Sequence, residues 1–515
     1  MKPLVIENFR GIAPRFDPGL KPGYARTAEN CDLSSGKITP LLDAALQAAD
    51  TNGYNSLFYF NGAWERQNNR YFVQWNILDY EILIYLKSGV PYKKVGSTEA
   101  LLGQTRLSAP TSALNGAGVL TGEFYYIITT TRSIGGYTDE SGPSSISAVV
   151  TASGNKILVT CPTISDSDVT YWNLYRLSNA TGEYQRVARI AAATTTYDDN
   201  VSEADLGNAI TTWYTSDQGN EIIWDKALVT FDGLIDEPHS GMLFAWKGPT
   251  LYWCEPGYMD AWPGFYNMNF PYDIKRVFAF AGVVVVLTEK GPHIVDGSHP
   301  EQLTPSKLLG KEPCIGLAAC QTSRGVAYLS DSGIVVFNLT GANVITDGAF
   351  TEEWFKTHVI STGASMAEND NQLFLFHAGG VLKADLRTRP VDWTTLDIIA
   401  TAVHADGNGN LYYIDSAGVQ KLAGGSGSLA WTWRSGDITG KHPNDKPFNE
   451  AEVIGSGTIT ATLYVDGTQE ATKALSFAMI RQRTLKLPSE TMGRALQVEL
   501  TGTGEVTEMI IRYSE

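Results

Sequence analysis

Val326-Ala327-Tyr328-Leu329, then Gly333, then Ile334-Val335-Val336-Phe337: a short apolar run reaches a glycine and restarts as a second apolar run. The unit recurs. Val283-Val284-Val285-Val286-Leu287 leads to Gly291 with Ile294-Val295 beyond it, Leu373-Phe374-Leu375-Phe376 to Gly380, and Leu411-Tyr412-Tyr413-Ile414 to Gly418 with Val419 after it. Leu251-Tyr252-Trp253, leading to Gly257, reads as an earlier copy. Short β-branched and aromatic runs bounded by turn residues are strand signals. The five glycines stand 34, 42, 47 and 38 residues apart. One hairpin about every 40 residues predicts the blades of a β-propeller, a ring-shaped scaffold on which catalysis is optional.

Composition agrees with an all-β chain. Of 515 residues, 43% are hydrophobic and only 18% charged, with 50 Gly and 24 Tyr, a balance that favours strands and tight turns over helices. The length suits about three domains. The net charge of −16 argues against a surface that grips nucleic-acid phosphates. Residues 211–427 hold much of it, with 24 Asp and Glu against 13 Lys and Arg. That acidity serves solubility, or it lines a passage that must repel a polyanion. The five cysteines are odd in number and widely spaced, unlike a secreted disulfide framework, and are expected as core thiols. Met1-Lys2-Pro3-Leu4-Val5-Ile6 lacks a signal-peptide core, and Val277–Leu287 is too short to span a bilayer, so a soluble protein made in the cytoplasm, without a membrane segment, is expected.

Five segments follow from the pattern. Residues 1–52 form an extended arm, too rich in Pro and Gly for a helix and too apolar for disorder, which should lie on a neighbouring surface in cis or in a partner. Residues 53–105 hold a first blade around Ile82-Leu83-Ile84-Tyr85-Leu86 and Gly89. Residues 106–212 change rhythm: Tyr125–Thr131, Lys156–Cys161, Val169–Arg176 and Tyr184–Ile190 read as strands every dozen residues or so, the pattern of a β-sandwich. The order of the opening Pro110, the tyrosine strand, the Glu140-Ser141-Gly142-Pro143 turn and Tyr171-Trp172-Asn173-Leu174-Tyr175-Arg176 resembles a fibronectin type III domain, inserted into the repeat. Residues 213–427 carry the main blades. Residues 428–515, with alternating strands and the Asp466-Gly467 turn, read as a C-terminal antiparallel β-sandwich.

Chemistry is sparse. The seven histidines show no metal-ligand spacing, and no nucleophile elbow, P-loop or dinucleotide fingerprint occurs. Asp406-Gly407-Asn408-Gly409-Asn410 starts like a calcium loop but has Leu411 and Ala417 at the positions of the required glycine and acid, so a turn is expected. Glu352-Glu353-Trp354 offers two carboxylates beside an aromatic, but in a strand neighbouring residues face opposite ways. The aromatic-rich stretch 252–272 reads as blade packing or a subunit interface ahead of a sugar platform. No enzyme activity, cofactor or metal is expected.

Two motifs of the arm, Phe9-Arg10-Gly11-Ile12-Ala13-Pro14-Arg15 and Ala28-Glu29-Asn30-Cys31-Asp32-Leu33-Ser34-Ser35-Gly36-Lys37-Ile38-Thr39-Pro40-Leu41, resemble the opening of structural proteins of tailed phages. Leu251–Gly257, Ala261-Trp262-Pro263, Val284–Gly291 with Gly297-Ser298-His299-Pro300, and Cys314 extend that resemblance in order, to the head-to-tail connector or nozzle proteins of short-tailed phages. The resemblance implies a virion tail protein, assembled in the host bacterial cytoplasm. It would form a homohexameric ring below the portal and adaptor and adjoin tail fibre, spike or needle proteins. Such a ring holds packaged double-stranded DNA, touches it only transiently and non-specifically, and lets it pass at ejection. Partner contact would fall on Phe9, Ile12, Pro14, Phe16 and Leu20 of the arm. The rival readings are a tail adhesin that binds host-surface glycan through 106–212 and the aromatic stretch and, further off, a propeller glycosidase.

Overall fold

In the computed structural model the described residues are 2–15, 23–50, 52–68, 71–77, 79–227, 230–297, 299–306, 310–360, 363–439, 446–488 and 491–513. The chain is nearly all β, arranged as many small antiparallel sheets; among the described residues Glu352–His358 is the one α-helix. No helix among them is long and apolar enough to cross a membrane.

Outside the insert, six antiparallel units of four strands follow one another; five are separate sheets and one, 365–396, is the end of the large thirteen-stranded sheet that also holds the C-terminal strands. They cover 72–101, 233–269, 274–305, 319–344, 365–396, and 402–421 completed by Ala45–Ala49 from the N-terminal region. A hairpin, Ser56–Phe60 with Ala63–Gln67, precedes the first. The leading strands of these units touch in succession, and Ser56–Phe60 packs on Ala402–Ala405 at one end of the series. At the other, Phe58 stacks on Phe72 of the first sheet with ring centroids 5.7 Å apart, so the series returns to its start.

Glycine placement explains the sequence rhythm. Gly291, Gly333, Gly380 and Gly418 each open the third strand of a sheet, at φ between +126° and +138°. A Cβ at Gly333 would stand 1.9 Å from Thr346 Oγ1, and one at Gly418 2.2 Å from the Ala48 carbonyl oxygen, because the outer strand crosses there. Only glycine accepts both that backbone and that approach. Gly257 is not equivalent. It lies beyond the strand Thr250–Trp253, whose hairpin turns at Gly248-Pro249, so the matching start of a third strand is Thr250, 41 residues before Gly291. Residues 53–105 likewise hold more than one unit: the hairpin and a complete four-stranded sheet.

Between the first and second sheets, residues 111–199 form two sheets of three and four strands facing each other across Leu120, Phe124, Tyr126, Ile128, Trp172 and Leu174. The C-terminal strands do not stand apart. Lys446–Val465 bends at Gly455 and Gly457, pairing first with Glu505–Tyr513 and then with Ala495–Gly502, so one strand serves both faces of the packing. Lys2–Ile6 adds to the edge of that sheet, and Ala25–Glu29 joins Trp431–Ser435 to Asp392–Leu396 of the fifth small sheet. The arm therefore docks in cis, stitching ring and terminal sheet together. All five cysteines are free; Cys31, Cys161, Cys254 and Cys314 are buried, and burial pushes the Cys31 thiol up to about 12.

Candidate functional site

The arm residues expected to meet a partner are largely consumed inside the chain. Phe9 is fully buried and meets Trp433 edge to face, with centroids 5.0 Å apart; Ile12 is buried and donates its backbone N–H to the Trp393 carbonyl at 2.8 Å. Gly11 is needed where it stands, since a Cβ would fall 2.0 Å from the Trp393 oxygen. Pro14 is exposed, and Phe16 and Leu20 lie outside the described residues. The choice of Phe9 and Ile12 as partner contacts is corrected accordingly: such aromatic and aliphatic side chains gain more from the seam between the ring and the Trp431–Ser435 strand than from water. Removing residues 1–20 would take out a sheet strand as well as a docking arm.

The leading strands enclose an axial cavity of about 740 Å³, walled by Leu57, Phe58, Phe72, Met366, Ala402 and Val403. Among the described residues Arg276 is the one charged residue on its lining; its Nε donates to the Leu317 carbonyl at 2.9 Å and its guanidinium sits 4.9 Å from the Tyr71 ring centre. The carboxylates of 211–427 do not line this cavity. Half of them, among them Asp217, Asp232, Asp273, Glu289 and Asp296, are exposed.

A second feature has no counterpart in the sequence reading. Where the inserted sandwich meets the ring, Lys93 is fully buried and binds Asp139 and, at 2.6 Å, Asp260. Arg132, also buried, binds Asp139 at 3.1 Å and Asp168 at 2.7 Å, and donates to the Gly103 carbonyl at 3.2 Å. The Gly103 N–H donates to Asp260 at 2.7 Å, and Gln104 donates to Asp139 at 3.0 Å. Burial pushes the Asp260 carboxyl above the usual carboxylate range against the pull of Lys93. Burial also works against the Arg132 charge, but Asp139, Asp260 and Asp168 outweigh it and hold that charge more firmly than usual. Two cations and two buried carboxylates thus fix the insert on the ring with little charge left over. One signal for it was present: in Val90-Pro91-Tyr92-Lys93-Lys94-Val95 adjacent lysines face opposite sides of a strand, so one must point inward. Its partners, up to 167 positions away, were beyond reach.

Other candidates resolve simply. Glu352-Glu353-Trp354 opens the helix, not a strand, with Thr351 capping the Trp354 N–H and Glu352 paired to Lys356 at 2.9 Å; both glutamates face solvent. Asp406 accepts from the backbone of Asn408 and Asn410, a turn feeding Leu411–Ile414. In the stretch 252–272, Trp253, Trp262, Tyr266 and Phe270 are core, whereas Tyr258, Phe265 and Tyr272 are exposed. Among the described residues no group of three or more His, Cys, Asp or Glu is placed to hold a metal.

No family model matches the chain, and no curated protein matches it. Among solved structures it is similar to the AfRom2 CNH domain, at 10% identity and a TM-score of 0.27, covering 74% of this chain and 97% of that one. Saccharomyces cerevisiae Sqt1 is similar at 8% identity and a TM-score of 0.25, covering 72% and 99%. The exo-β-1,3-galactanase of Phanerochaete chrysosporium is similar at 7% identity and a TM-score of 0.18, covering 90% and 99%. Likenesses this distant assign neither a fold nor an activity.

Proposed function

We propose that the chain is a structural subunit of a phage tail nozzle. The ring of small sheets is read as a β-propeller of seven units, one of them the hairpin 56–67, and the insert as a fibronectin type III-like sandwich. What carries the reading is the seam. The two arm motifs that resemble the opening of nozzle proteins supply Phe9, Gly11, Ala28, Cys31, Leu33 and Ile38 to the core joining ring and terminal sheet. A subunit that must carry load between its neighbours gains from such a strap, because the ends of the chain are then held by its own sheets.

The passage for DNA in this reading runs between subunits of a homohexamer, not along the subunit's own axis, where Arg276, Tyr71 and Leu317 crowd a cavity too small for a duplex. Exposed carboxylates facing that passage would repel phosphate and favour sliding over gripping. Contact with the adaptor then falls on surface such as Pro14 rather than on Phe9 or Ile12. The test is the mass of the purified chain by sedimentation, alone and with adaptor, followed by its position in a virion reconstruction. A ring-sized assembly placed below the portal is the expected result. A particle without this chain in its tail would sink the proposal.

A further inference from the structure

The nozzle reading leaves the axial cavity of about 740 Å³ without a task. That volume lies inside the range of small-molecule sites, about 300–1,000 Å³. Its walls come from separate segments around the axis; Leu57, Leu329, Met366 and Ala402 among them are buried, while Leu317 at the rim is 54% exposed. Phe58 and Phe72 pack on each other, and further on His404 at 5.1 Å and Tyr85 at 6.1 Å respectively, so their rings are largely taken up. What is left for an occupant is mostly aliphatic surface. Apolar cavities far smaller than this stay dry and take up hydrocarbon.

The polar groups of the lining narrow the choice. The Ser56 hydroxyl donates to Asn55 at 3.4 Å, the Thr401 hydroxyl donates to the Tyr54 carbonyl at 2.6 Å, and the Ser365 hydroxyl is closed off from water. A sugar or other polyhydroxylated ligand finds little to bond there. Arg276 is different. Its Nε donates to the Leu317 carbonyl at 2.9 Å and its guanidinium lies 4.9 Å from the Tyr71 ring centre, so the group is held from two directions. Both Nη nitrogens are left over: they bond to no described residue, and no described carboxylate pairs with them. A fixed guanidinium with both Nη groups open suits a single carboxylate.

We propose that this cavity binds a free fatty acid, one unbranched acyl chain ending in a carboxylate. The chain would lie against Leu57, Leu329, Met366 and Val403, and the carboxylate would meet the Nη groups of Arg276 beside Leu317. A flexible chain can follow walls built from separate strands, whereas a rigid aromatic ligand would need the ring faces that Phe58 and Phe72 have already committed. One cation calls for one anionic head. The assignment stands apart from the nozzle reading, since a passage between subunits is unaffected by what fills a subunit's own axis.

The test is titration calorimetry of the full chain with hexanoate, octanoate and decanoate below their micelle concentrations, beside decanol and decyltrimethylammonium. One-to-one binding that tightens about fourfold per methylene is expected. Decanoate should bind about tenfold more tightly than decanol, and the cationic amphiphile most weakly. Arg276→Gln, at a half-buried position, should bring decanoate to the level of decanol while the melting temperature holds. A decanoate carrying a terminal diazirine, crosslinked by light, should label 55–58, 365–366 or 401–403, which locates the site without any variant. No saturable binding by any of the carboxylates, or labelling confined to other segments, would overturn the proposal. So would equal affinity for decanoate and decanol that Arg276→Gln leaves unchanged.

Discussion

Replacing Lys93 with Met tests the charged joint directly. The side chain is fully buried and its Nζ lies 2.6 Å from the Asp260 carboxylate, with Asp139 also bound. At an effective dielectric of about 20, a single pair at that distance attracts by roughly 6 kcal/mol, most of it offset by the cost of taking the ammonium out of water. Met fills nearly the same volume, so the loss is governed by the two carboxylates left facing one guanidinium. Breaking a buried pair on one side costs about 3–5 kcal/mol. Burial already pushes the Asp260 carboxyl up against the pull of Lys93. Without the lysine its folded-state pKa rises further above the unfolded value. Stability is then retained at low pH, where both states hold the proton, and lost as pH rises through the folded pKa. The penalty of Lys93→Met should therefore be larger at pH 8 than at pH 4. Urea unfolding by tryptophan fluorescence gives the size, and hydrogen exchange of 90–95 and 131–140 gives the location. Adding Asp260→Asn should recover much of the loss, by about 1–3 kcal/mol of coupling. A loss below about 1 kcal/mol, or a double variant whose effect is the plain sum, would refute the reasoning.

Three further outcomes are expected. Gly333→Ala forces a Cβ to φ +133° and to within 1.9 Å of Thr346 Oγ1, so it should destabilise the fourth sheet by at least about 1–3 kcal/mol, read as faster exchange in 325–338. Phe9→Ala empties a fully buried site against Trp433 and should cost about 3–5 kcal/mol, with amide protection lost in 2–6 and 505–513; unchanged protection would mean that the arm is not part of the core. His404 packs on Phe58 at 5.1 Å, where burial holds its imidazole below the usual 6.5, so the folded state favours the neutral ring. Acidification from pH 7 to pH 5 should then loosen the hairpin 56–67 in hydrogen exchange, and His404→Phe should remove that pH dependence.

The legible part of this chain was local. Alternating strands, tight turns and the glycines at 291, 333, 380 and 418 were visible because a hairpin writes its own pattern within about ten residues, and at 333, 380 and 418 the close approach of neighbouring chain leaves glycine no substitute. Gly257 misled because an apolar run before a glycine looks the same whether the glycine opens a strand or merely follows one. Glu352-Glu353-Trp354 misled because a single helical turn among strands, set by the Thr351 cap, leaves too short a period to read.

By itself, then, the sequence determined an all-β chain of repeated hairpins, interrupted by a sandwich and rich in carboxylates. The tertiary structure alone decided that the arm packs on its own chain, that Ala45–Ala49 completes a sheet begun at Ala402, and that Lys93, Arg132, Asp139 and Asp260 meet. The reason is physical: strand patterns record which face of a residue is buried, but not which distant segment buries it. Long-range pairing of charges and edges depends on how distant segments come to pack on one another, which no window of sequence contains.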